Sequence, residues 1–266
     1  MRILPSNLVL FRRNSLAFVG ILAIGLGPIA GCARFPTNGI GEFARISFRL
    51  RVTGNINDAV DGTPLTQYIY IIALRVLTTD TTPPTGAPIP VIGDNSPNGF
   101  VAGSPTHFVL YDPTRPSQPL ILNKFNPGPT AGDPTNEVNL GSWFDTSATR
   151  GRIVNYTLPA DGDRRELRFD IFANQLADSD AAAANLRRIQ VNILTMNRLA
   201  TTSGTRVWDA LGNTLNPGEV NTFVTVDLRS NVIVDNRLGV EPQNDTVGAN
   251  DPDVDISDFS IEVQRP

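Results

Sequence analysis

Few side chains in this sequence are equipped for covalent chemistry. The 266 residues hold one histidine, His107, one cysteine, Cys32, and, among 22 basic residues, a single lysine, Lys124. A Ser-His-Asp or Cys-His relay would have to run through His107, which stands beside Phe108 and Val109, and no G-x-S-x-G segment supplies a nucleophile. The expectation is a sheet-edge or surface histidine rather than a catalytic base. One lysine leaves almost no scope for Schiff-base chemistry, and one histidine excludes a histidine-built zinc site. Neither the P-loop nor the dinucleotide-binding glycine pattern occurs, so nucleotide chemistry has no foothold.

Carboxylates are the chemistry that remains. Two acids at a suitable separation suffice for glycoside hydrolysis and leave no signature in sequence, so Asp145, Asp170, Asp209 and Glu219 keep a hydrolase reading open. Against it stands the turn role of Asp, whose side chain bonds its own backbone, and the enzyme reading takes second place. The stretch from Asp251 through Asp253, Asp255 and Asp258 to Glu262 resembles a calcium loop in its acid spacing, yet Ile256 stands where an EF-hand needs glycine. Phe259, Ile261 and Val263 also alternate with polar residues as a strand does. What is left is a looser calcium site on Asp251, Asp253 and Asp255, with no other cofactor expected. The two tryptophans, Trp143 and Trp208, have two readings: a loop-edge platform for a sugar ring or a plug between sheets. In the first reading Arg206 and Asp209 flank Trp208 and meet the sugar's hydroxyls.

These side chains must be positioned by strands. Ala44, Ile46, Phe48, Leu50 and Val52 alternate strictly with Arg45, Ser47, Arg49, Arg51 and Thr53, a period of two that buries one face and wets the other. Residues 67–77 are apolar almost throughout and rich in Ile and Tyr, which predicts a central strand covered on both sides. Further strands are expected at 107–111, 120–125, 152–158, 166–172, 188–194, 222–228, 231–234 and 257–263, and a short helix within 174–186. The connections at 78–90, 93–105, 126–142 and 235–251 are long and rich in Pro, Gly, Asn, Asp and Thr, as loops at the ends of a sandwich are. The fold expected is all-β, a single antiparallel, jelly-roll-like β-sandwich spanning residues 42–266.

Ahead of it lie Arg2, Arg12 and Arg13, then an apolar run over 16–26 that is too short to span a bilayer, then Ile29-Ala30-Gly31-Cys32. This arrangement resembles the signal and lipobox of bacterial lipoproteins. The resemblance implies a signal peptide over 1–31, diacylglycerol on Cys32 after cleavage, a tether over 32–41, and an extracytoplasmic domain anchored to the cell membrane or outer membrane. Removing the three arginines takes the formal net charge from −4 to −7, which argues against a nucleic-acid partner. The segments around Tyr70–Val76, Leu167–Leu176, Ile189–Arg198 and Thr205–Asp209 are similar in order to family-9-type carbohydrate-binding modules and their DOMON relatives. What that implies is a cell-envelope module binding glycan or cell-wall polymer, with Trp208, Asp209 and Arg206 as its contacts. The alternative is a structural or adhesion lipoprotein whose partners are envelope proteins.

Overall fold

The computed structural model describes residues 43–56, 68–81, 86–90, 101–113, 115–126, 142–197, 207–216 and 222–266. Its strands are, in chain order, β1 (Arg45–Val52), β2 (Tyr68–Leu77), β3 (Ile89–Pro90), β4 (Val101–Ala102), β5 (His107–Tyr111), β6 (Leu120–Asn126) and β7 (Ser142–Asp145). They continue with β8 (Tyr156–Thr157), β9 (Glu166–Phe172), β10 (Arg188–Asn197), β11 (Trp208–Ala210), β12 (Val224–Asp227), β13 (Val232–Asp235) and β14 (Ile256–Gln264). Two antiparallel sheets result. One has the order β13-β14-β1-β9-β8; the other runs β11-β10-β2-β5-β6-β7, with β12 also pairing β10. The protein is an all-β sandwich.

The alternation of β1 is obeyed residue by residue, each apolar side chain buried and each polar one partly exposed. β14 and β9 flank it in antiparallel register, Phe48 opposite both Ile261 and Phe169. Their inward side chains meet Tyr70, Ile72 and Leu74 of β2 and Ile189, Val191 and Ile193 of β10 in one core. Phe48 and Phe169 stack there with centroids 5.2 Å apart. β2 is apolar on its second face too, and that face is also covered: Ile69, Ile71 and Ala73 join Val101, Phe108, Leu194, Met196 and Trp208 in a smaller cluster outside the sandwich. A continuous apolar run thus becomes a strand between two layers.

Several local expectations are corrected. His107 is neither at an edge nor at the surface: β5 runs between β2 and β6, and the side chain is 3% exposed. The strand expected over 152–158 shrinks to β8, whose two residues are exposed and which ends before Pro159 opens a single helical turn. The helix expected within 174–186 is two one-turn pieces, Ala173–Leu176 and Asp180–Ala183, the second capped by Ser179, whose hydroxyl accepts from the Ala182 N–H. Two expected loops contribute the residues of the small β3–β4 pair. Among the described residues no helix is long and apolar enough to cross a membrane.

Candidate functional site

Two regions gather chemistry-bearing side chains: the outer face of the five-stranded sheet, and a carboxylate cluster at one end of the sandwich. On the sheet, the outward positions of β1 are Arg45, Ser47, Arg49 and Arg51, and those opposite on β14 and β9 are Asp258, Ser260, Glu262, Glu166, Arg168 and Asp170. The pleat therefore places guanidinium beside carboxylate on adjacent strands. Arg49 reaches Glu166 at 3.4 Å and also Asp258, Arg45 lies 3.6 Å from Asp170, and Arg51 lies 2.9 Å from Asp163. At the rim, Asn155, Thr157, Arg168 and Asp170 line an open hollow of about 370 Å³, while Tyr156 lies opposite the inward-facing Phe169. A larger groove of about 830 Å³ follows β13 and β14, beside an exposed Ile233.

The second region grows from β11. Trp208 pairs opposite Met196 and Asp209 opposite Thr195, so the two side chains leave the strand on opposite faces. Trp208 enters the outer apolar cluster and is 4% exposed. Asp209 points between the sheets. It is completely buried, and both its oxygens are engaged: Oδ1 accepts from the Ala210 N–H at 2.8 Å and the Thr214 hydroxyl at 2.6 Å, and Oδ2 accepts from the Ile256 N–H at 2.7 Å. Since Ile256 opens β14, this one carboxylate ties the two sheets together.

Glu241 and Asp245 come to the same place from the loop between β13 and β14. One oxygen of each of Asp209, Glu241 and Asp245 lies within 4.8 Å of the others. Glu241 Oε2 accepts from the Gly212 N–H and Asp245 Oδ2 from the Thr214 N–H, each at 2.8 Å. Glu241 Oε1 and Asp245 Oδ1 are buried with no hydrogen-bond partner. Asp255 holds the loop in place. Its Oδ1 accepts from the N–H groups of Asn244 at 2.7 Å and Asp245 at 3.3 Å, with Asn244 in the left-handed region at φ 63°. Successive N–H groups on such a turn face one acceptor, and asparagine tolerates that conformation better than most residues. Burial, and then the charge of Asp209, drive the Glu241 carboxyl well above the usual range; burial also drives Asp209 well up and raises Asp245.

The residues singled out from sequence are distributed differently from the expectation. Trp208 and Asp209 do not border a loop-edge sugar site, because β11 is a short strand whose two faces are both covered. Arg206, Cys32 and Glu219 lie outside the described residues, as do the signal segment and tether, and Trp143 is placed only as a backbone position on β7. Asp251, Asp253 and Asp255 do not converge. In a tight turn at i, i+2 and i+4 they face separate partners: Asp251 accepts from the Tyr68 hydroxyl, Asp253 from the Asn55 N–H, and Asp255 from the Thr53 hydroxyl as well as the 244–245 turn. Asp145 accepts from the Ser147 N–H beside β7, and Asp170 faces Arg45 on the outer sheet face, so neither accompanies Asp209. Glu241 and Asp245 were not singled out; the only signal for them is the polar, Pro- and Asn-bearing loop that carries them. Compared with protein-family models, curated proteins and solved structures, the chain shows no match.

Proposed function

We propose that this protein is a lipid-anchored, extracytoplasmic and non-catalytic module of the cell envelope that binds glycan or cell-wall polymer on the polar face of its five-stranded sheet. The observation that supports this is the face itself: guanidinium and carboxylate groups alternate across three strands. Paired charged groups of this kind donate to and accept from vicinal hydroxyls. The anchor reading rests on the residues up to Cys32. Each buried methylene contributes about 0.8 kcal/mol, so two or three acyl chains hold a domain at a membrane where one does not. Ala33 at the position after Cys32 favours the outer membrane in a host that has one.

The test is retention of the full chain on a panel of polysaccharides and cell-wall fractions. Arg168→Ala removes an exposed guanidinium of that face and is expected to weaken binding about fivefold while thermal unfolding stays nearly unchanged. Undiminished binding by that variant would place the ligand on another surface. A second reading, an envelope-protein partner, is favoured by β13. Among the described residues it pairs only with β14, and Ile233 on it is 55% exposed, so that edge suits strand addition by another chain.

A further inference from the structure

The carboxylate cluster needs a positive charge that the described residues do not supply. Asp209, Glu241 and Asp245 are each at most 3% exposed, and none forms an ion pair with a described Arg, Lys or His. Buried carboxylates are ordinarily paired, protonated or metal-bound. Here two of the oxygens, Glu241 Oε1 and Asp245 Oδ1, are aimed into protein without a donor, and the three carboxylates converge to within 4.8 Å. Further oxygens stand nearby, and the nitrogens at the site are backbone N–H groups already donating to the carboxylates. The Thr214 hydroxyl lies 3.3 Å from the Ala210 carbonyl and 3.4 Å from that of Gly212. No nitrogen or sulfur donor belongs to the set, which speaks for a hard cation over zinc or copper.

We propose that Asp209, Glu241 and Asp245 form a Ca²⁺ site that locks the loop between β13 and β14 onto β11. Ca²⁺ fits better than Mg²⁺ because the donors come from separate segments in irregular geometry. Calcium accepts six to eight oxygens in flexible arrangements, whereas magnesium demands a near-ideal octahedron. Asp255 is a positioning residue: it orients the turn carrying Asp245 and offers its own oxygens to N–H and hydroxyl donors. The site joins elements of both sheets through the Asp209 bond to Ile256, so occupancy is a stability device of the whole sandwich. It does not depend on the sheet-face reading.

The experiment uses the purified full chain, stripped with chelator and titrated with Ca²⁺, with Mg²⁺ in parallel. Thermal unfolding should shift upward by about 5–10 °C at a hundredfold excess of Ca²⁺ over its Kd. Terbium, as a calcium surrogate, should give tryptophan-sensitised emission that Ca²⁺ displaces. Glu241→Gln keeps the shape and the acceptor for Gly212. It should abolish the Ca²⁺ increment, while its midpoint in chelator is no lower than that of the unsubstituted chain because a neutral amide carries no ionisation cost at a buried place. Asp245→Asn should behave likewise, and Asp251→Asn should retain the increment. Equal midpoints in Ca²⁺ and chelator together with no terbium uptake would overturn the site. Loss of the increment in Asp251→Asn with retention in Glu241→Gln would overturn the ligand assignment, and an equal response to Mg²⁺ would overturn the choice of ion.

Discussion

His107, expected at a sheet edge or the surface, shows how far the place of one side chain depends on the strands around it. Its Nδ1 lies 3.0 Å from the Thr106 hydroxyl, and Nε2 is buried with no hydrogen-bond partner among the described residues. Burial, and then the charge of Lys124, press its pKa down to about 3. A base depressed in the folded state stays neutral there while the unfolded chain takes up a proton below about pH 6.5. The contribution is therefore constant above that pH and is lost as pH falls toward 3. Relative to His107→Gln, the unsubstituted chain should lose about 2 kcal/mol of unfolding free energy between pH 7 and pH 5. Denaturant titrations at the two pH values measure this difference, and parallel changes in the two proteins would show that the imidazole is hydrated in the fold. Gly54 is a second residue whose identity matters. A Cβ there would sit 2.2 Å from Asp253 Oδ1 and 2.7 Å from the Pro252 carbonyl carbon, so the turns after β1 and before β14 meet through a missing side chain. Gly54→Ala is expected to cost about 1–3 kcal/mol, read as a lowered thermal midpoint.

Among elements, β1 carries the most. It is the middle strand of its sheet, and its inward side chains are buried by β14, β9 and the facing β2. Phe48→Ala removes a ring stacked on Phe169 and should cost about 3–5 kcal/mol by denaturant unfolding. The outward arginines of the same strand are held by carboxylates on both neighbours, and they are solvated enough that single substitutions there should cost under about 1 kcal/mol. One strand thus separates stability on its inner face from the recognition proposed for its outer face. β13 stands at the other extreme. Ile233→Lys on that edge should leave folding intact and, if an envelope protein adds a strand there, abolish its capture by cross-linking in intact cells.

At the scale of the molecule, an acylated terminus would hold the sandwich at a surface through the tether over 32–41. Cys32→Ser should release the protein from the membrane fraction to the soluble one, and retention would count against lipidation. With the anchor gone, the sheet-face binding should persist, since no residue of that face belongs to the N-terminal segment.

Sequence by itself determined what depends on local periodicity and composition. The alternation of Ile46, Phe48, Leu50 and Val52 requires a half-buried strand, the apolar run of β2 requires cover on two sides, and the scarcity of Lys, His and Cys limits the chemistry whatever the fold. Tertiary structure decided what depends on residues far apart in the chain. Asp209, Glu241 and Asp245 are brought together because β11 and the loop after β13 close one end of the sandwich; no spacing along the chain connects them. Trp208 was legible as an aromatic beside an acid, yet whether its ring met solvent or core depended on the second apolar layer. The trio 251, 253 and 255 misleads for the same reason. Neighbours in sequence share a turn, but hydrogen-bond donors from β1, β2 and the 244–245 turn draw the three carboxylates apart, and binding sites are assembled by packing rather than by order.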